Sequence, residues 1–212
     1  MSGLDRYWPS LLDGYTNVRD MLVEVYDEPH RGYHNRRHLA EMFAGIDLIL
    51  AAEPDLAIDR DAVLLAAWFH DAVYDTVHNV GGDNEERSAT LAERELGTVD
   101  TPPPLIEEVV RLVRLTKTHD VATDDLNGKV LCDADLAILA ADEQRYAEYT
   151  QGVRREYAHV DDEDFRRGRV KILRDLLAMP ALFSTSFAKQ HWENSAHTNV
   201  ARELIELESR IG

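Results

Sequence analysis

An all-α protein is what this sequence predicts, on three observations. Apolar residues recur at helical spacing along most of the 212 residues, strand-like alternation with hairpin turns is missing, and helix start and stop signals are legible between the stripes. The first helical window covers 8–27. A second carries the stripe Leu39, Met42, Phe43, Ile46, Ile49 and Leu50, and the window 59–72 holds the very apolar run Ala62 to Phe69. The segment Asp75 to Gly82, with His78, is a loop. Asp83 and Glu86 have the spacing of a capping box for the window 84–96, which Gly97 should stop. Pro102 to Pro104 start the next helix, with Leu105, Ile106, Val109, Val110, Leu112 and Val113 as its stripe. Windows at 126–140, 143–158, 162–178 and 192–211 complete the chain as one domain, 1–212.

Composition excludes several function classes. Forty acidic side chains against 23 basic ones leave a formal charge of −17, which argues against a large nucleic-acid partner or an anionic membrane surface. A hydrophobic content of 44% excludes general disorder. The single cysteine, Cys132, cannot form an internal disulfide and reads as a core residue. No stretch approaches the roughly 18 apolar residues of a membrane span, and the first residues lack a basic head with an apolar run. Cytoplasmic residence is the default expectation, with a homodimer an allowed assembly.

The placement of the histidines carries the chemistry. His34 and His38 lie four apart in GYHNRRHLAEM, so on a helix beginning near Asn35 both can face one side. His70 and Asp71 close the apolar run AVLLAAWF. Buried polar groups without partners cost several kcal/mol, and a divalent metal is one partner that would satisfy this pair. Asp133 and Asp135 sit in VLCDADLAIL, again in apolar surroundings.

The order His38, His70-Asp71, Asp135 resembles the HD superfamily of metal-dependent phosphohydrolases. The resemblance extends through DNEERSA, LTKTH, DADLAIL and VRREY, and is nearest to a bacterial group of predicted HD phosphohydrolases. It implies a helical HD-domain bundle with a metal-site core at about 30–140 and additional C-terminal helices. It further implies a divalent metal held by His38, His70, Asp71 and Asp135, and hydrolysis of a phosphate mono- or diester of a nucleotide or other small phosphorylated metabolite by metal-activated water. Asp135 is taken as the ligand because the family pattern places it in an Ala-Asp-Leu stretch, which leaves Asp133 to orient a ligand or cap a helix. Mixed imidazole and carboxylate ligands suit Mn, Fe, Co, Ni or Zn, with Mg also in range, at one or two ions per chain.

The YHNRRH segment is also similar to the start of the class I cyclic nucleotide phosphodiesterase site. That resemblance makes His38 a ligand and His34 the acid that protonates the leaving oxygen. Binuclear members of the HD superfamily insert further His ligands between the HD pair and the last Asp. His119 falls in that interval, and so does His78. Glu85, in the first turn of its helix, reads as a water-orienting or catalytic base near Asp71, or as a plain helix-start carboxylate. Lys117 and Arg154 are the candidate substrate-phosphate contacts, while Tyr33, Asn35 and Tyr157 are candidate site walls. His30, His159, His191 and His197 read as ordinary surface or packing residues. Two rival readings remain open: a non-catalytic metal- or nucleotide-binding HD module, and a di-iron oxygenase built on a similar ligand set.

Overall fold

The computed structural model describes residues 3–77 and 83–209. His78 lies outside them. Among the described residues there are helices and turns and no strand. The α-helices are α1 (Thr16–Tyr26), α2 (Arg36–Ala52), α3 (Arg60–Phe69), α4 (Asn84–Gly97), α5 (Pro103–Leu115), α6 (Leu126–Leu136), α7 (Glu143–Glu156), α8 (Asp162–Ala178), α9 (Ser186–His191) and α10 (Glu193–Glu208). None of them is long and apolar enough to cross a membrane.

Local chemistry explains most boundaries. Asn35, Asp59, Asp83, Asp125, Asp142, Asp161 and Thr185 each accept a backbone N–H at a helix start. Pro102 stands at the cap of α5, with Pro103 in its first turn. Four expectations change. The window 8–27 divides, because Pro9 and Gly14 interrupt it: short 3-10 turns at Asp5–Tyr7 and Ser10–Leu12 precede α1. α3 stops at Phe69, since the carbonyls of Asp71 and Ala72 turn away to accept from the buried Arg31 guanidinium at 2.7 and 3.1 Å. α4 does end at Gly97, but Thr98 takes the cap in the right-handed region, so the stop does not depend on left-handed glycine. The short helix α9 was not legible in the sequence at all.

Two apolar cores organise the chain. The larger gathers α1 to α6 around Phe43, Leu65, Trp68 and Phe69, and the smaller gathers α7, α8, α9 and α10 around Tyr146, Leu173, Phe183 and Val200. Trp192 packs against both. One close approach joins them at the site: a Cβ on Gly152 of α7 would come within 2.9 Å of the Gly32 carbonyl oxygen, so only glycine lets the 32–35 loop lie on α7.

Candidate metal centre

Three separate elements bring the ligand candidates together. His38 comes from the first turns of α2, His70 and Asp71 from the residues just past α3, and Asp135 from the end of α6. The Nε2 atoms of His38 and His70 are 3.1 Å apart. Asp71 Oδ2 lies 3.0 Å from His70 Nε2 and 3.6 Å from His38 Nε2, and Asp135 Oδ1 lies 3.3 and 3.7 Å from His38 and His70. His38, His70 and Asp71 could hold a metal ion.

The outer ring nitrogens explain the convergence. His70 Nδ1 is 2.9 Å from the Ala67 carbonyl, which can only accept, so this nitrogen carries the proton and Nε2 keeps its lone pair when the ring is neutral. His38 Nδ1 lies 2.9 Å from the Tyr33 hydroxyl, and both rings are buried. Both outer nitrogens are therefore occupied, and both inner ones point at a shared place beside two carboxylates. This is the arrangement a divalent cation requires of its ligands and their supports.

Electrostatics agree. Burial works against a charge on His70, yet Asp71 and then Asp135 outweigh it and raise the ring to about 9. Burial likewise opposes ionised Asp71 and Asp135. The surrounding histidines nevertheless hold both carboxyls below their usual range. Without a cation, a proton on His70 balances part of the negative charge. A cation would displace it.

A third imidazole stands apart from this set. His34 precedes α2 and donates from Nδ1 to Glu156 Oε2 at 2.8 Å, while its ring stacks on Tyr74 at 4.1 Å between centroids. Glu156 also accepts from the backbone N–H of Tyr33 and His34 at 2.7 and 2.9 Å and from the Tyr74 hydroxyl at 3.1 Å. Burial disfavours charge on His34, but Asp71 and the Glu156 hydrogen bond more than compensate and raise its pKa. The Glu156 contact thus favours a proton on His34, and its other nitrogen makes no hydrogen bond among the described residues. Arg31 welds the two parts of the site, donating to the carbonyls of His34, Asp71 and Ala72.

Comparison with protein-family models, with curated proteins and with solved structures finds no match.

The remaining candidates divide. His119 Nε2 lies 2.9 Å from Asp135 Oδ2, the oxygen turned away from the His38–His70 pair, and its φ of 53° is a left-handed conformation that a non-glycine residue adopts only when its surroundings enforce it. Asp133, two residues before Asp135, is fully engaged elsewhere: it accepts from Ser184 N, Thr185 N and the Thr185 hydroxyl at 2.7–2.8 Å, and so anchors the start of α9. Lys117 is paired with a carboxylate at the surface. It extends to Asp83 on the exposed side of the α4 start. Arg154 is likewise used structurally, donating to the Tyr157 and Val160 carbonyls and to Asp162 and lying over the Phe165 ring. Glu85 stays in the first turn of α4 without a hydrogen bond to the His/Asp cluster. Asn35 caps α2, and Tyr157 packs against His159 and Phe165.

Glu156, Tyr74 and the bracing role of Arg31 escaped the sequence reading. A signal existed for Glu156. A carboxylate in the last turn of a helix is disfavoured by the macrodipole, so an acid at the end of VRREY asks for a dedicated partner.

Proposed function

We propose that this protein is a metal-dependent phosphohydrolase of the HD type, acting on a small phosphorylated metabolite. One observation supports it above the others: a cluster of two buried imidazoles and two partly buried carboxylates stands beside a separate histidine, His34, whose Nδ1 is held by Glu156 and whose pKa is raised. A site that only stored a cation would have no use for the sixth group, Glu156, which with Asp71 favours a proton on a neighbouring histidine. His38, His70, Asp71 and Asp135 would hold the ion. When bound, a divalent ion supplies activation of the attacking water and neutralisation of phosphoryl charge.

The chain's own groups do the rest. The bond from phosphorus to the ester oxygen breaks as a bond to the water oxygen forms, and His34 gives its proton to the departing alkoxide. Such a donor contributes about 10² to 10⁴ in rate. Glu156 holds Nδ1, so the proton is delivered from the opposite nitrogen. Tyr33 fixes the orientation of His38, and His119 fixes that of Asp135. A lone buried cysteine and the acidic surface suit a cytoplasmic setting.

The test joins elemental analysis of protein purified without chelators to a screen of phosphate esters, bis(p-nitrophenyl) phosphate included. The expected outcome is at least one transition metal or Mg per chain and hydrolysis that the Asp71→Ala variant lacks. Metal-loaded protein that cleaves no ester in the screen rejects the reading. Two ions per chain would make His119 a ligand; one leaves it as the residue that positions Asp135.

A further inference from the structure

A cavity of about 220 Å³ opens against His38 and Asp135, with Tyr33, Glu41 and Arg145 also on its wall. It is smaller than the roughly 300–1,000 Å³ of sites that take drug-sized ligands. A larger hollow, about 870 Å³, is bordered by Tyr74 and Glu156, and none of the four ligand candidates lines it. The small cavity is therefore the one that adjoins the four ligand candidates, through His38 and Asp135. Its far wall is Ala134, Ala137, Ile138 and Ala141, small or aliphatic side chains that keep the space open.

Arg145 is the cavity's cation, and its charge is already answered. Its Nε and Nη2 donate to the two oxygens of Glu41 at 2.7 Å each, and the guanidinium lies 5.6 Å from the centre of the Tyr33 ring. Nη1 makes no hydrogen bond among the described residues. A guanidinium closed on a carboxylate offers an N–H donor beside oxygen lone pairs with little net charge. Hydroxyl groups, which donate and accept at once, match that surface, whereas a second anion would meet Glu41.

We infer that the organic part of the substrate is a small polyhydroxylated alcohol, glycerol- to pentose-sized and carrying a phosphate ester, and that Arg145 is the residue that selects it. The inference rests on the hydrolase reading: the ester phosphate lies at the His/Asp cluster with its ester oxygen on the side of His34, whose ring is 5.8 Å from that of His38, while the rest of the polyol extends past His38 into the cavity. An alcohol of this size matches a cavity of about 220 Å³, which a purine nucleoside with its ribose would overfill and leave in part outside.

Calorimetry with non-hydrolysable phosphonates separates the two ideas. The probes are 3,4-dihydroxybutylphosphonate, a phosphonate analogue of adenosine monophosphate, and inorganic phosphate, each titrated into metal-loaded protein. The dihydroxybutyl compound should bind at least about tenfold more tightly than the adenosine compound. Ala137→Leu, which fills the cavity, and Arg145→Gln should each weaken it about tenfold while metal content, thermal stability and inorganic phosphate binding stay as in the parent protein. Equal or tighter binding of the adenosine compound overturns the inference, as do two variants that bind the polyol compound normally. Arg145-dependent polyol binding without hydrolysis of any ester would sink the hydrolase and leave the subsite. Hydrolysis that neither substitution affects would do the reverse.

Discussion

The two halves of the site are held by different forces. His38, His70, Asp71 and Asp135 come from helices of the larger core and the turn after α3, where His38 and His70 are almost wholly buried and apolar packing, with the Tyr33 hydroxyl and the Ala67 carbonyl, decides where they point. Glu156 and Arg145 come from α7, at the edge of the smaller core, and they act through charged hydrogen bonds to His34 and Glu41. Packing suits ligands, which must meet at one point whatever their protonation. Charged hydrogen bonds suit a proton donor and a recognition pair, whose state is what matters. Damage to the first half should therefore remove the metal, and damage to the second should change rate, pH profile or selectivity with the metal still bound.

The largest expected effect breaks this comparison if it fails. His70→Ala or Asp71→Ala should bring bound metal to background by elemental analysis and abolish hydrolysis. Glu156→Gln comes next: metal content stays, while turnover falls by up to about 10²- to 10⁴-fold, the range of a lost proton donor. Because Glu156 helps raise the His34 pKa, its loss should also move the alkaline limb of the rate profile to lower pH. Metal lost together with activity in Glu156→Gln would show that the halves are one unit.

The pH dependence of metal binding sharpens the contrast. In metal-free protein His70 is raised from its ordinary 6.5 to about 9. Its protonated form therefore stabilises the metal-free fold fully below about pH 6.5, and that stabilisation is lost as the pH rises through about 9. Metal needs the neutral ring, so the sign reverses for binding. Apparent affinity should climb with pH up to about 9, approaching tenfold per pH unit, when followed by titration with a competing chelator. The smallest effect belongs to Tyr33→Phe, which removes the hydroxyl on His38 Nδ1 and should weaken metal binding about tenfold without unfolding the chain. An unchanged affinity would mean that packing alone orients His38.

The ligand residues were legible because their types are costly where they stand. A histidine and an aspartate closing the run AVLLAAWF, or an aspartate inside VLCDADLAIL, contradict the local apolar pattern, and such contradictions show in one dimension. The choice between Asp133 and Asp135 came from a resemblance to known proteins, and their surroundings now separate their tasks. Asp133 is held by the backbone at the start of α9, a helix with no sequence signature of its own. Lys117 and Arg154 were singled out by adjacency in sequence, and the structure gives each a partner of its own. Asp83 and the α7–α8 connection hold them.

By itself, then, the sequence determined an all-α chain, most helix starts and the residues able to ligate a metal, since periodicity, capping and buried polarity are local properties. Only the tertiary structure decided that Glu156 bonds His34, that Arg31 ties the loop before α2 to the turn after α3, and that Arg145 and Glu41 border the space beside the His/Asp cluster. Those partners are separated by 122, 40 and 104 positions along the chain. No periodic pattern spans such distances, and it is the packing of α7 against the 32–35 loop, through paired glycines, that brings His34 and Glu156 together.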